Sequence, residues 1–116
     1  MEAELQGAFL SNAAMQRAEL WGTKLQEASL TIANLEGANL YRADLTRANL
    51  QGANFMEANL QEVDLMGANL QQTKLRGADL TGVTNLTREQ IESADVDSTT
   101  VLPNNLTIPE KWRQSE

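Results

Sequence analysis

Acidic side chains are the residues of this sequence whose types and spacing come closest to a chemical site. Asp95, Asp97 and Thr99 alternate in the segment DVDST, as oxygen ligands do at the start of a calcium-binding loop. The segment lacks the glycine and the final glutamate of such a loop, so a plain turn is expected there. The sequence therefore predicts no metal site.

The residue types that most catalytic sites require are missing. The 116 residues include no histidine and no cysteine, which excludes histidine acid–base catalysis, thiolate chemistry, disulfides and Cys/His zinc sites. Neither a glycine-rich phosphate loop nor a nucleophile elbow is present. We therefore predict a protein that is not an enzyme and that binds no cofactor.

The formal charge restricts the partners of the chain. Its net charge of −7 argues against direct nucleic-acid binding and against anionic membranes, and leaves an unknown protein as the expected partner. No apolar run approaches the roughly 20 residues of a membrane span, and the N-terminus shows no signal peptide. The sequence favours a cytoplasmic location; the periplasm or the thylakoid lumen would require a signal peptide that has been removed.

A five-residue repeat must position whatever sites the chain has. Its centres run from Leu5 to Leu80, and all are leucine except Met15 and Phe55. A small residue, mostly alanine, stands two positions before each centre, and from Asn34 onward Asn or Asp precedes the centre with one exception. A helix would scatter these leucines around its axis, and a flat strand would alternate them between two faces. The chain must therefore turn a corner between centres, so that each centre points at a common axis.

The motif A-[DN]-L-x-x, as in "GANLYRADLTRANL" at residues 37–50, resembles that of the pentapeptide-repeat proteins. The resemblance covers residues 1 to about 83 and implies an all-β fold, a right-handed quadrilateral parallel β-helix. One repeat would form each side, giving four coils of four repeats each in a domain at residues 1–83. Among the inward-pointing core residues we single out Leu25, Leu45, Phe55 and Leu65.

Residues 84–116 leave the repeat and are predicted to form a short capping helix and a tail. Thr87 and Gln90 match a capping box, and Leu86 and Ile91 have the spacing of a hydrophobic staple. A helix from Arg88 to about Ala94 should therefore lie across the end of the last coil. The extended tail should pack back on the solenoid through its apolar residues Val101, Leu102, Leu106, Ile108 and Trp112. A tail of this kind is similar to those of family members from photosynthetic bacteria.

Stacking of residues 20 apart brings several polar side chains together. Asp44 and Asp64 would stand about 5 Å apart, as in a retaining glycosidase, but on a flat solvated wall without a pocket, so we interpret them as structural. Asn columns should form amide ladders at positions 34–54, 39–59 and 49–69. Two cross-coil ion pairs are expected, Arg42 with Glu62 and Glu27 with Arg47.

Exposed apolar residues are the candidate protein contacts. Trp21 and Tyr41 share an outward column, and solvent-facing aromatic residues are enriched at interfaces. Phe9, Met56 and Met66 are the other outward apolar residues of this set. The inward residues of the first coil would face water along the axis, which predicts that either a further segment covers this end or an end-to-end homodimer forms through the N-terminal coil.

Two functions remain from the sequence. The first is a non-enzymatic scaffold that binds another protein through its walls or an end. The second comes from the resemblance, because some pentapeptide-repeat proteins are similar to B-form DNA in shape and charge and bind DNA gyrase. Basic residues such as Arg42, Arg47 and Arg76 interrupt the acidic ones, and four coils make a short rod, so the scaffold is the favoured prediction.

Overall fold

The computed structural model describes residues 2–106, so the predicted contacts of Ile108 and Trp112 lie outside the described residues. The residue before each centre forms a parallel β-bridge to its equivalent four repeats later, from Glu4 with Lys24 to Asp64 with Thr84. Each bridge is one residue long, so the chain forms columns of isolated bridges rather than extended strands. Because each coil has four bridge positions, the solenoid has four sides, as the family resemblance implied.

We name the sides by chain order. The first wall comprises residues 3–7, 23–27, 43–47 and 63–67, and the second comprises 8–12, 28–32, 48–52 and 68–72. The third comprises 13–17, 33–37, 53–57 and 73–77, and the fourth comprises 18–22, 38–42, 58–62 and 78–82. Each wall ends with the two residues that form its corner.

Every corner is a β-turn with the same backbone conformation. After Leu35, for example, the Ala38 N–H closes the turn onto the Leu35 carbonyl at 3.0 Å. The second corner residue lies in the left-handed region in every repeat, with φ between 57° and 74°. All seven glycines of the chain occupy this position, where they adopt positive φ without a Cβ penalty. Ile32 adopts it as well, with φ of 60°, although a β-branched residue is strained there.

The core is a single apolar axis filled by the repeat centres. Every centre from Leu25 to Leu80, including the four singled out from the sequence, is at most 2% exposed. Alanine fills most of the other inward positions, and Thr73, which replaces it in one repeat, donates its hydroxyl to the Leu50 carbonyl at 2.7 Å. Burial of this kind stabilises by about 1.5–3 kcal/mol per large side chain. In the first coil the centres Leu5, Leu10 and Met15 are only partly buried.

A helix and an irregular fifth coil cover the C-terminal end. Helix α1 spans Arg88–Ser93, and Thr87 and Gln90 form the capping box, which confirms the predicted helix. After α1 the bridge columns resume with Lys74 to Asp95 and Asp79 to Val101. The first of these pairs is one position further apart in sequence than the bridges of the regular coils, and the second is two positions further apart.

The tail packs back on the solenoid only in part. Leu102 and Leu106 are partly buried against the core, in agreement with the sequence. The prediction for Val101 is wrong, because its side chain is 48% exposed. Val101 takes the outward bridging position of its segment, so its backbone pairs with the wall while the next residue points inward.

Candidate interaction surfaces

The Asn and Asp residues that precede the centres cap the corners that follow them. In each case Oδ1 accepts a hydrogen bond from the backbone N–H two residues later, at 2.9–3.1 Å, at Asn34, Asn39, Asp44, Asn49, Asn54, Asn59, Asp64, Asn69 and Asp79. These oxygens are therefore engaged with the backbone instead of with the neighbouring asparagine. The predicted amide ladders are wrong for this reason, since local side-chain-to-backbone bonds compete with contacts between coils.

Asp44 and Asp64 stack in the first wall as predicted, and each carboxylate accepts hydrogen bonds from the corner that follows it. Asp44 accepts from the backbone and the hydroxyl of Thr46, and Asp64 accepts from Met66 N–H and from the amide of Asn85. A shallow cavity of about 270 Å³ lies elsewhere, at the corner that joins the third wall to the fourth. Its lining consists of Gln16, Arg17, Glu36, Gly37 and Glu57. Neither Asp44 nor Asp64 lines this cavity.

The DVDST segment forms a turn. Asp97 accepts from the N–H and hydroxyl of Thr99, and Asp95 pairs with Arg76 at 3.0 Å. The hydrogen bond from the Thr99 hydroxyl holds the pKa of Asp97 below its ordinary value. Within residues 2–106, no group of acidic side chains has an arrangement that could hold a metal ion.

Both predicted ion pairs between coils are present. Arg42 Nε lies 2.9 Å from Glu62, and Arg47 Nε lies 3.2 Å from Glu27. The hydrogen bond to Glu62 raises the pKa of Arg42, and all four side chains are largely exposed. Exposed pairs of this kind are weak, so they fix side-chain positions more than they stabilise the fold.

An aromatic corner joins the fourth wall to the first. Trp21 is 43% exposed, and Tyr41 stands above it in the same column and is half-buried. The Arg42 guanidinium lies 5.1 Å from the centroid of the Tyr41 ring, within range of a cation–π contact. The structure therefore brings two of the five predicted contact residues together.

The other three predicted contact residues are dispersed. Phe9 lies on the second wall and is 92% exposed, and Met66 lies at the corner between the first and second walls. Met56 is on the corner after the third wall and is partly buried between Glu36 and Arg76 in its column, so its predicted exposure is only partial. Sequence reasoning missed Ile32, which is 63% exposed; a β-branched residue in the second corner position was the available signal.

The inward residues of the first coil are the remaining candidate surface. Leu5, Leu10, Met15 and Ala18 are partly buried, whereas Leu20 is 7% exposed. This incomplete burial agrees with the sequence argument for these four residues, whereas the expectation is wrong for Leu20, which is buried. The end-to-end homodimer through that coil stays a prediction.

Comparison with known proteins now places the chain in a family. The profile of the family described as Pentapeptide repeats matches residues 2–31, 25–61 and 45–82, with eight copies. The chain is a pentapeptide-repeat protein. Comparison with curated proteins finds no relative. Among residues 2–106, no helix of this pentapeptide-repeat protein has the length and apolarity to cross a bilayer.

Solved pentapeptide-repeat proteins from photosynthetic organisms are similar to this chain. Rfr23 from the cyanobacterium Cyanothece 51142 is 36% identical, with 78% of this chain and 64% of that chain covered and a TM-score of 0.45. A protein from Nostoc PCC 7120 is 32% identical, with coverages of 90% and 77% and a TM-score of 0.46. A protein of the Arabidopsis thaliana thylakoid lumen is 25% identical, with coverages of 99% and 74% and a TM-score of 0.43. The chain thus spans less than two thirds of the length of Rfr23.

Proposed function

We propose that this pentapeptide-repeat protein is a non-enzymatic scaffold, a right-handed quadrilateral β-helix that binds another protein through its outer surface. The observation that carries the proposal is the use of the Asn and Asp side chains. From Asn34 to Asp79 each of them holds a corner by accepting a backbone N–H. The polar groups with the best spacing for chemistry therefore serve the architecture, and the surface they support is rigid and regular.

The proposed contact is the aromatic corner formed by Trp21 and Tyr41. Both residues combine a large apolar area with few rotatable bonds, which makes them effective at interfaces. Arg42 adds a cation over the Tyr41 ring and is held there by Glu62. A partner surface with apolar and acidic groups fits this combination.

A capture experiment tests the scaffold. The full chain would be immobilised, and proteins of its native host would be captured and quantified for the wild type and the Trp21→Ala/Tyr41→Ala variant. Gln71→Ala, at an exposed corner position far from the aromatic pair, is the matched control. We expect one partner that the double variant loses and the control retains; capture that both variants leave unchanged contradicts the proposed contact.

The non-enzymatic part of the proposal has its own test. We expect no turnover of glycosides or esters, and no loss of any measured function in Asp44→Asn. Turnover that disappears with this one substitution would show that the carboxylate does chemistry.

The net charge of −7 favours a second candidate, a DNA mimic that binds DNA gyrase. Against it, two basic side chains of the solenoid are paired with acidic ones across coils, which interrupts a continuous acidic surface. A supercoiling assay separates the two functions: inhibition of gyrase by the pure protein supports the mimic, and full gyrase activity supports the scaffold.

A further inference from the structure

The second wall differs from the other three in charge. The first, third and fourth walls each carry several charged side chains, whereas residues 8–12, 28–32, 48–52 and 68–72 carry none. The outward bridging column of this wall consists of Phe9, Ser29, Asn49 and Asn69. A chain with a net charge of −7 thus has one side, four coils tall, without a single formal charge.

The neutral second wall has charged side chains only around it. The Glu27–Arg47 ion pair stands at the corner that leads into it. Helix α1 lies over its C-terminal end, where Gln72 N–H donates to the Ser93 carbonyl at 2.8 Å, and α1 exposes its own ion pair of Arg88 and Glu92. Depletion of charge at the centre, with charged residues only at the rim, is one feature that this wall shares with protein interfaces.

The side chains on this wall suit close approach of a flat surface. Ser11 and Ser29 share a hydrogen bond of 2.9 Å, so these short hydroxyls are already partnered and lie in a fixed geometry. Phe9 and Ile32 project from the wall and are exposed by 92% and 63%. Ile32 also keeps a strained left-handed backbone in a position where other repeats have glycine or polar residues. Strained backbone positions cluster at functional sites, and the exposed, strained Ile32 is one observation in favour of a contact on this wall.

We propose that the neutral second wall is a self-association surface and that its occupant is the second wall of another copy of this chain. Two molecules with a charge of −7 repel each other, and this is the side through which they can meet without bringing like charges into contact. In a two-fold dimer the same patch of both subunits is in contact, so charges on that patch must not meet charges of the same sign. A wall without charge meets this condition.

The size of the wall limits the area that the dimer can bury. The molecule measures 39 × 24 × 21 Å, and one wall offers on the order of 500 Å² per partner, close to the lower limit for a specific interface. We expect a weak, reversible dimer with a dissociation constant of about 10 μM to 1 mM, since interfaces at the low end of size are mostly transient. It uses a different side of the molecule from the aromatic corner, so it does not depend on the proposed scaffold contact.

Sedimentation equilibrium of the full chain up to about 1 mM tests the dimer. We expect a monomer–dimer equilibrium that strengthens when salt is added, because salt screens the repulsion between the two negative molecules. Gln51→Lys places a charge in the middle of the wall, at an outward corner where the fold tolerates it, and should weaken dimerisation by at least about tenfold. Gln16→Lys, the matched control on the third wall, makes the same change in net charge and should leave dimerisation unchanged.

The chain has no cysteine, so a single introduced cysteine can be cross-linked specifically. The positions that cross-link fastest locate the interface. Asn49 and Asn59 cap equivalent corners on the second and fourth walls, with hydrogen bonds of 3.1 and 2.9 Å. We expect a short bismaleimide to link Asn49→Cys chains into dimers much faster than Asn59→Cys chains. A strict monomer at about 1 mM overturns the proposal, as do equal cross-linking of the two variants and a dimer that survives Gln51→Lys. That last result would indicate the end-to-end arrangement instead.

Discussion

The two ends of the solenoid contain the same repeat but differ in how their core is covered. At the C-terminal end, α1, the Gln90 side chain and the irregular fifth coil lie over Leu65, Leu70, Leu75 and Leu80, which are at most 2% exposed. In the first coil, Leu5, Leu10 and Met15 occupy equivalent positions and remain partly exposed. The difference shows that the repeat motif alone does not bury its leucine. In the later coils a further layer of chain along the axis completes the burial of the centres.

The largest expected effect comes from placing the same charge at two positions of one inward column, one in a closed coil and one in the first coil. Leu45→Asp places an unpaired carboxylate in the closed axis and should prevent folding, since such burial costs more than the stability of a small domain. Leu5→Asp makes the same change in the partly exposed layer and should leave a folded protein. Circular dichroism with thermal melting measures both. An unchanged melting curve for Leu45→Asp would show that this residue does not point inward.

Removal of the apolar part of the cap should have the next largest effect. Ile91 is 2% exposed on α1, and Ile91→Ala should lower the free energy of unfolding by about 2–4 kcal/mol. Val101→Ala, at a half-exposed position of the same cap, should cost less than about 1 kcal/mol. Urea denaturation compares the two variants. Equal losses would mean that α1 does not close the core.

The polar part of the cap should contribute less. Gln90 Nε2 donates to the carbonyls of Leu65 and Ala68 at 2.9 and 3.0 Å, while its Oε1 accepts from Thr87 N–H. The Leu65 carbonyl also accepts the Ala68 N–H at 3.1 Å. Gln90→Ala therefore removes the side-chain partners of the Ala68 carbonyl and the Thr87 N–H and should cost about 1–3 kcal/mol. Glu89→Ala, an exposed neighbour on α1, should be near neutral in the same denaturation experiment. A neutral Gln90→Ala would show that water replaces the lost hydrogen bonds at this end.

The smallest expected effect is a pH dependence in the fourth wall beneath the cap. Burial acts to raise the pKa of Asp79, but hydrogen bonds from Thr81 and Gln61 outweigh it and hold the pKa below its ordinary value of 3.8. The stabilisation from Asp79 is therefore complete above pH 3.8 and is lost as the pH falls below that value. We expect the stability difference between wild type and Asp79→Asn to shrink on acidification, and a constant difference would argue that these bonds do not favour the ionised form.

Sequence predicted the long-range order of this molecule better than its local contacts. The period of the leucines and the family resemblance placed residue 64 over residue 44, and Thr87 and Gln90 located the start of α1. The role of the asparagines was misread: Oδ1 of a residue such as Asn49 could accept a hydrogen bond from the next coil or from the backbone two residues later, and the backbone N–H of Gln51 is its partner. The bridges of Asp95 and Val101 could not be predicted, since their irregular offsets leave no period to detect. The sequence contains the information for the neutral second wall, but the absence of charge becomes apparent only when each residue is assigned to its wall.

The coil of four repeats has a consequence for how such a chain can change during evolution. Deletion or duplication of four consecutive repeats removes or adds one complete layer and leaves every later residue on its own wall. Deletion or duplication of a single repeat still keeps each leucine on the axis, yet it moves everything downstream by a quarter turn. After a deletion, charged residues such as Glu36 would stand on the side that is now neutral, and after either change α1 would cover a different wall. The fold therefore tolerates insertions and deletions in units of one repeat, whereas a binding surface on one wall tolerates them only in units of four.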